Sequence, residues 1–326
     1  MSRRVIAITG ISGYLGQLLL PHLEKDPDVE RVIGIDVRPP PDASQWDKLT
    51  YKQLDTRDAG IEDTFEDSNV LIHMAFKLWR RPGDRDVDAV NIYGSQNVFN
   101  AAVRAGVRKL IFTSSTVAYG IHPDNPVPLT EKTPLRPNDE LYYSRAKAAC
   151  ERMLAEIEQQ NPNMIITILR PTAIAGPNAP RKQLEPYVSD TVIVVRGYDP
   201  PGQFLHEDDM IRALLLAIRK DLPGIFNVTS DDPQSLRQSV LTRGGRVISL
   251  PLALLRPLLW VMWQTGSSIA GPEWLLLNLY PFVATSEKLR NEGWKPEFTT
   301  PQTYHSVVQA FRVGSQHSVG ELEGSI

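Results

Sequence analysis

The chain has 326 residues and a formal net charge of −3, with 42% apolar and 22% charged residues. These values are typical of a globular protein with one large α/β domain, or with a large and a small one. Lys and Arg are scattered along the chain, which argues against nucleic acid as a partner. The single cysteine, Cys150, excludes an internal disulfide, and we expect it to be a buried helical residue.

No segment resembles a secretory signal or offers the ~20 uninterrupted apolar residues that a membrane span needs. The stretch 250–283 comes closest, but polar and charged residues interrupt it. We therefore expect a cytoplasmic protein without a membrane partner. His73 and His206 lack neighbours at metal-ligand spacing, so we expect no metal.

The first predicted element is a strand, Val5–Thr9, which runs into a glycine-spaced turn and an apolar helix, Leu15–Lys25. Such a turn presents bare backbone N–H groups and the positive end of a helix, which together suit a pyrophosphate. Pro21 lies inside the helix and predicts a kink or an early end there.

The second predicted strand, Val32–Asp36, ends in a carboxylate twenty residues past Gly16. A carboxylate at this distance accepts hydrogen bonds from both ribose hydroxyls of an adenosine and repels a 2′-phosphate, which favours NAD over NADP. Arg38 can pair with such a phosphate, so NADP stays the alternative.

Further strands and helices alternate along the chain, and the strands are continuous apolar runs. Such strands are covered on both faces, which predicts an α/β fold with a Rossmann-type doubly wound parallel sheet and a smaller C-terminal substrate domain. The further strands are Tyr51–Leu54, Val70–His73, Lys109–Ser114, Ile165–Leu169 and Ile225–Val228, and the further helices are Val90–Ala105, Leu141–Gln160 and Met210–Lys220.

The composition of the chain changes after Gly176, where prolines and predicted loops become frequent. We predict an NAD(P)-binding Rossmann domain over 1–176. A smaller substrate-binding region, partly interleaved with the Rossmann core, is expected over 177–313. A disordered tail is expected over 314–326, which is small and polar.

Two polar clusters carry candidate chemistry. Tyr143 and Lys147 are spaced i, i+4 and share one helix face, where an ammonium favours the phenolate; a surface pair is the alternative, and Tyr142 lies off that face. Ser114 and Ser115 follow an apolar strand, and open α/β sheets bind ligands at the carboxyl ends of their strands. The alternative for the two serines is that they are simply polar residues where the strand passes into a loop.

In combination and in this order, three motifs resemble the extended branch of the short-chain dehydrogenase/reductase superfamily, the NAD-dependent epimerase/dehydratase family. The motifs are Gly10-x-x-Gly13-x-x-Gly16, Ser115 and Tyr143-x-x-x-Lys147, and the resemblance runs from about residue 4 to about residue 300. Lesser matches are Leu169-Arg170-Pro171, His206-Glu207-Asp208-Asp209 and Gly293-Trp294-Lys295-Pro296.

The resemblance implies hydride transfer between a substrate carbon and the nicotinamide ring of NAD. It makes Tyr143 the general acid/base, Lys147 the residue that tunes it and holds the nicotinamide ribose, and Ser115 the catalytic hydroxyl. It also implies a homodimer paired through the helices Val90–Ala105 and Leu141–Gln160. The residues expected to contact the cofactor are Gly10, Ser12, Gly13, Tyr14, Leu15, Gly16, Asp36, Arg38, Asp55, Thr56, Met74, Ala75, Asn91, Ser114, Tyr143, Lys147 and Pro171.

The chain departs from the family's sugar-nucleotide enzymes at two positions. Those enzymes hold the substrate diphosphate with an Asn and an Arg, where this chain has Ala173 and Gly202. A buried diphosphate without charge-assisted donors is disfavoured. The apolar stretch 250–283 is either core or dimer packing, or a lid or pocket for an apolar substrate; contact with a membrane surface is the least favoured alternative, because the stretch lacks a basic face.

We therefore expect an oxidoreductase that acts on a secondary alcohol or ketone carbon. The alternative is a nucleotide-sugar epimerase, similar to UDP-glucose 4-epimerase, or a dehydratase that keeps its NAD tightly bound. A third hypothesis is a non-catalytic protein that senses dinucleotides, although both Tyr143 and Lys147 are present.

Overall fold

The computed structural model describes the backbone of residues 3–323 and the side chains of residues 3–312. The chain forms two compact units, each built from several segments. The first contains Met1–Gly120, Glu131–Pro171 and Ile211–Asn227, and the second contains Ile121–Thr130, Thr172–Met210 and Val228–Ile326. The domain boundaries expected from the sequence remain a proposal.

Short strands and helices alternate along the described chain. The strands are β1 (Arg4–Thr9), β2 (Val29–Asp36), β3 (Leu49–Gln53), β4 (Val70–His73), β5 (Lys109–Thr113), β6 (Ile165–Pro171), β7 (Ala173–Ala175), β8 (Thr191–Val195), β9 (Pro201–Gly202), β10 (Phe204–His206), β11 (Gly224–Val228), β12 (Gln234–Ser235) and β13 (Arg246–Leu250). The α-helices are α1 (Tyr14–Lys25), α2 (Gly94–Arg104), α3 (Tyr142–Gln160), α4 (Arg181–Val188), α5 (Glu207–Arg219), α6 (Leu236–Thr242), α7 (Leu252–Gln264), α8 (Glu287–Asn291) and α9 (Thr300–Glu323). The predicted strands and helices are present with ends shifted by at most three residues, except that a π-helical turn, Ala89–Tyr93, precedes α2.

The first unit is built around a seven-stranded sheet with the order β11-β6-β5-β4-β1-β2-β3. The pairs from β6 to β3 are parallel, and β4 and β5 are buried along their whole length. This is the predicted doubly wound Rossmann-type fold. The strand order reverses between β1 and β4, and such a reversal opens a crevice at the carboxyl ends of the two strands.

One core cluster of this unit consists of aliphatic and aromatic side chains from strands and helices, including Leu71, Phe99, Phe112 and Cys150. Cys150 is buried in α3, as predicted. Of the kink or early end predicted for α1 at Pro21, the early end is wrong, because the helix continues to Lys25, and the kink stays a prediction. Leu23 is fully buried in that last turn, and its burial compensates for the backbone hydrogen bond that proline cannot make.

The second unit contains three two-stranded sheets, β10–β7, β12–β9 and β13–β8. Its helix α7 packs Leu255 against Val195 and Leu275, so part of the apolar stretch 250–283 is core. The outer face of α7 exposes 38–61% of five large apolar side chains, Leu254, Leu258, Trp260, Val261 and Met262. No helix among the described residues is long and apolar enough to cross a membrane.

The acidic turn at the start of α5 anchors a loop near the end of the chain. The Asp209 carboxylate accepts hydrogen bonds from the backbone N–H groups of Glu297 and Phe298, at 2.8 and 3.2 Å. His206 stacks on the Phe298 ring, with 3.8 Å between ring centroids, which is a structural role. The backbone of α9 continues to residue 323, but side chains beyond 312 and all of 324–326 lie outside the described residues. The expected disorder of the tail 314–326 therefore stays a prediction.

A buried lysine attaches the end of α5 to the sheet of the first unit. The Lys109 side chain on β5 is only 3% exposed, and its ammonium lies 2.9 Å from the Asp221 carboxylate. Burial lowers the pKa of Lys109, and Asp221 opposes this shift. A cation is favourable at a helix C-terminus because it meets the negative end of the helix dipole. The Lys109 ammonium donates at 3.0–3.1 Å to the backbone carbonyl oxygens of Ala217, Ile218 and Lys220.

Replacing Lys109 with methionine leaves these buried carbonyl groups without their donor. We expect Lys109→Met to lower the free energy of unfolding by about 2 kcal/mol, the typical loss for hydrogen bonds to a charged group. The matched control is Arg108→Met, since Arg108 also pairs with Asp221 but is exposed, and its loss should stay below about 1 kcal/mol. Urea denaturation measures both, and equal losses would contradict this role of Lys109.

Candidate active site

The turn between β1 and α1 has the tight backbone that its glycines predict. Gly10 has a φ of +80°, which side chains rarely adopt, and its backbone N–H donates to Ile35 at 2.8 Å. A Cβ on Gly10 would lie 2.6 Å from the backbone nitrogen of Ala75, and a Cβ on Gly16 would lie 2.6 Å from the carbonyl oxygen of Gly10. The turn therefore packs directly against the chain that leaves β4.

The N-terminus of α1 lies at this turn, with Gly13 at the N-cap position. Glycine has no side chain that could cap the N–H groups of the first helical turn. At the positive end of the helix, Gly13 therefore contributes only its backbone. Helix α1 has twelve residues and follows the first strand of the sheet. These features fit the pyrophosphate of a dinucleotide, as the sequence predicts.

The Asp36 side chain lies beside the same turn. One carboxylate oxygen accepts a hydrogen bond from the backbone N–H of Ser12 at 3.1 Å, and the other accepts from the backbone N–H of Arg38 at 3.3 Å. The Ser12 hydroxyl in turn donates to the carbonyl oxygen of Arg38 at 2.5 Å. Three of the predicted cofactor residues are thus held together at the end of β2, where an adenosine ribose is expected.

A chain of buried hydrogen bonds fixes the end of β4. The Ser95 hydroxyl donates to the carbonyl oxygen of Asn91 at 2.6 Å, so it accepts from Nε2 of His73 at 2.8 Å. Nδ1 of His73 therefore accepts from the Thr9 hydroxyl at 2.6 Å. Burial, together with the charge of Lys147, lowers the pKa of His73 to about 3. His73 is a neutral, structural histidine that ties β1 to α2.

Two predicted cofactor side chains have protein partners in the structure. Both polar atoms of the Asn91 amide bond the backbone of Lys77, at 2.7 and 2.9 Å. The Asp55 carboxylate pairs with the Arg57 guanidinium at 2.8 Å, and this hydrogen bond is the main cause that lowers the pKa of Asp55. Thr56 follows Asp55, and its side chain is buried. These residues shape the loops around the crevice, and their contact with a cofactor stays a prediction.

The structure brings Ser115 and Tyr143 into hydrogen-bond contact. Ser115 follows β5, where its hydroxyl also accepts from the backbone N–H of Val117 at 3.2 Å. Burial raises the pKa of the Tyr143 hydroxyl above its usual value, and the hydrogen bond with Ser115 opposes the shift. Tyr143 is therefore a neutral phenol at pH 7. Tyr142 lies apart from this pair and bonds the carbonyl oxygen of Leu78.

Lys147 is buried beneath Tyr143, with 2% of the residue exposed. Its ammonium donates to the carbonyl oxygen of Thr113 at 2.7 Å and lies 3.5 Å from the centre of the Phe76 ring. The centre of the Tyr143 ring is 5.6 Å away. Burial lowers the pKa of Lys147 to about 7, so its charge changes near neutral pH. The predicted tyrosine and lysine thus share one site.

The sequence analysis assigned no role to three residues of this site, of which Arg170 was named only as part of the Leu169-Arg170-Pro171 match. The Phe76 ring meets the Tyr143 ring edge-on, with 5.6 Å between centroids. Glu151 and Arg170 form a buried ion pair, and the Ser114 hydroxyl donates to Glu151. The predicted Ser114 side chain is therefore engaged in this pair. For Glu151 the sequence contained one indication, its spacing. It lies four residues after Lys147 on the same helix, so the two side chains share a face.

A model of the NAD dependent epimerase/dehydratase family matches residues 6–229. The chain belongs to this family. An uncharacterised protein of Mycobacterium tuberculosis (strain ATCC 25618 / H37Rv) is 25% identical over 317 residues, which cover 92% of this chain and 82% of that protein. The 3 beta-hydroxysteroid dehydrogenase/Delta 5→4-isomerase of Monkeypox virus is 30% identical over 182 residues, 53% of each chain.

A solved structure of another protein shows the same fold. The crystal structure of dTDP-glucose 4,6-dehydratase from Bacillus anthracis in complex with NAD superposes with a TM-score of 0.76 at 16% identity, and the match covers 96% of this chain and 98% of that one. The Rossmann-type sheet of this epimerase/dehydratase family member is therefore shown by its own strands and by this likeness. In the part of the chain with described side chains, no three His, Cys, Asp or Glu residues are grouped to hold a metal ion.

The tight packing of Gly16 gives a direct test of the turn. The atoms that a Cβ would meet are backbone atoms of Gly10 and Ile11, so Gly16→Ala must open the turn. We expect at least about tenfold weaker binding of NADH, a loss of about 1.4 kcal/mol, in a fluorescence titration. Gly60→Ala is the matched control, since a Cβ there meets nothing within 4 Å. Equal affinities of the two variants would show that the turn does not hold the dinucleotide.

Proposed function

We propose that this chain is an NAD-dependent oxidoreductase that moves a hydride at a secondary alcohol or ketone carbon, with Tyr143 as the acid/base. The observation that carries this proposal is the hydrogen-bonded pair of Ser115 and Tyr143 above a buried Lys147. The three groups lie at the carboxyl ends of strands in the first unit, on the same unit as the glycine turn. Membership of the NAD-dependent epimerase/dehydratase family supports the same chemistry.

The three residues divide the proton chemistry among them. The neutral Tyr143 phenol donates its proton to a carbonyl oxygen during reduction and takes it back from an alcohol during oxidation. The Ser115 hydroxyl donates a second hydrogen bond to the same substrate oxygen. The Lys147 ammonium stabilises the phenolate that forms when Tyr143 gives up its proton. Bound NAD supplies the hydride carrier.

We further propose NAD rather than NADP as the cofactor. The Asp36 carboxylate is held beside the glycine turn by the backbone N–H of Ser12. A carboxylate in this position accepts hydrogen bonds from ribose hydroxyls and repels a 2′-phosphate. The solved dehydratase from B. anthracis, which shares the fold, is in complex with NAD.

The substrate we propose is an apolar alcohol or ketone rather than a nucleotide sugar. Ala173 and Gly202 stand at the positions where the family's sugar-nucleotide enzymes carry side chains that donate hydrogen bonds to the substrate diphosphate. A Cβ at Gly202 would meet nothing within 4 Å, so packing does not require glycine there. The match to a viral 3 beta-hydroxysteroid dehydrogenase/Delta 5→4-isomerase over about half of each chain supports a substrate of sterol-like character.

A homodimer paired through α2 and α3, and a cytoplasmic location, complete the proposal. Both rest on the resemblance to the family. The two helices contact each other within the first unit. We expect light scattering at micromolar concentration to give twice the mass of one chain, and a monomer would overturn the dimer.

The adjacent tyrosines of α3 give a matched pair of variants for the catalytic role. Tyr143→Phe removes the proton donor and should lower turnover by about 10²–10⁴-fold, while NADH affinity stays within about twofold. Tyr142→Phe removes only a hydroxyl that bonds Leu78 and should keep most of the activity. The assay follows NADH absorbance with a 3β-hydroxysteroid and a panel of secondary alcohols and ketones. Full activity of Tyr143→Phe would contradict the assignment.

A further inference from the structure

A buried ion pair lies directly beneath the candidate catalytic residues. Glu151 and Arg170 are each 2% exposed at the side chain, and Nε of Arg170 donates to both carboxylate oxygens, at 2.9 and 3.0 Å. Nη2 of Arg170 makes a further contact with the same carboxylate. Such a pair loses its hydration on folding and persists only because its partners are held in good geometry. None of these atoms takes part in the proton chemistry proposed for Tyr143.

The pair joins the three segments that carry the site. Glu151 belongs to α3, where it follows Tyr143 and Lys147 at successive spacings of four residues, so the three side chains share one helix face. Arg170 belongs to β6. The third partner, Ser114, follows β5, and its hydroxyl donates to Glu151 while its backbone N–H donates to Leu169 at 2.7 Å.

Arg170 is itself fixed from its other side. Its guanidinium carbon lies 4.4 Å from the centre of the Tyr119 ring, in the geometry of a cation–π contact. The Tyr119 hydroxyl donates to the side chain of Asn227 at 2.8 Å, and Asn227 belongs to β11. The carboxylate of Glu151 is therefore held in one position by Arg170 of β6 and Ser114 after β5, while Tyr119 and Asn227 hold Arg170.

The charge of Glu151 acts on its neighbour Lys147. Burial disfavours the Lys147 ammonium, and the charges on α3 that favour it are those of Cys150 and Glu151. Burial raises the pKa of the Cys150 thiol to about 11, so near pH 7 the thiol is neutral and Glu151 alone of the two carries a charge. The neutral His73 approaches from β4. The charged and titratable groups that face Lys147 from the surrounding elements are His73, Tyr143, Cys150 and Glu151, with Arg170 behind Glu151.

We propose that Glu151 is a positioning residue of the active site: through Ser114 and Arg170 its carboxylate fixes the turn that carries Ser115, and its negative charge supports the ammonium of Lys147. This deepens the proposed function and rests on it. Loss of the carboxylate therefore changes how Lys147 titrates, in addition to any change in stability.

The first test is the titration of Lys147 in the cofactor-free protein. Lysines labelled with 13C at Cε are followed by NMR from pH 5 to 10, and Lys147→Arg identifies the resonance. Glu151→Gln keeps the shape of the side chain and removes its charge, so the Lys147 midpoint should fall by about one pH unit, a tenfold change in the ratio of charged to neutral amine. Glu156→Gln, at an exposed position of the same helix, is the matched control and should leave the midpoint unchanged.

An unchanged midpoint in Glu151→Gln would overturn the proposal. If that variant fails to fold, the double variant Glu151→Met and Arg170→Met replaces the pair with apolar side chains of similar length, a replacement that buried ion pairs often tolerate. Its Lys147 midpoint should fall by less than in Glu151→Gln, because the guanidinium that lies behind the carboxylate and opposes its charge is removed as well. A midpoint equal to that of the wild-type protein would show that the pair only fills space.

The second test measures NADH affinity against pH by fluorescence. Wild-type affinity should fall as pH rises through the Lys147 midpoint, and in Glu151→Gln the fall should come about one unit earlier. Failure of the wild-type protein to bind NADH would defeat the proposed function while the NMR titration still reports on Glu151. NADH binding with the same pH profile in both proteins would defeat the role of Glu151 alone.

Discussion

Burial of polar groups at the carboxyl ends of β1, β4, β5 and β6 is the constraint on which the candidate site depends. His73, Lys147, Glu151 and Arg170 are almost completely shielded from solvent there. Each must recover from protein partners the hydrogen bonds that water would otherwise provide. This requirement fixes the turns after the strands, and the reactive groups of Ser115 and Tyr143 take their positions from those turns.

The groups proposed to carry the chemistry lie in one of the two units. The glycine turn, Asp36 and the cluster around Lys147 all belong to the first unit, whose sheet holds them at strand ends. The second unit contributes short sheets, a small core around Leu255, and the exposed apolar face of α7. The groups proposed to carry the chemistry are recognised by their own residue types and spacing, whereas nothing comparable in the second unit specifies a substrate.

Sequence patterns predicted the local features well, because they depend on short-range rules. Buried strands are continuous apolar runs, the glycines of the first turn are required by close backbone approach, and the spacing of Tyr143 and Lys147 follows from the helical period. The patterns did not predict the partners of Asn91 or Ser114, because these contacts join segments distant in the chain, such as Ser114 and Glu151. Tertiary burial of Leu23 likewise kept α1 intact beyond Pro21.

The identity of any nucleotide that leaves the protein on denaturation distinguishes the proposed oxidoreductase from an enzyme that retains its NAD. The protein is purified without added cofactor, denatured, and its supernatant is analysed by mass and absorbance. For a dehydrogenase or reductase we expect little or no retained nucleotide and reversible binding of added NADH in preference to NADPH. Stoichiometric NAD that survives purification would contradict this expectation and favour an epimerase or dehydratase that recycles its cofactor within each turnover.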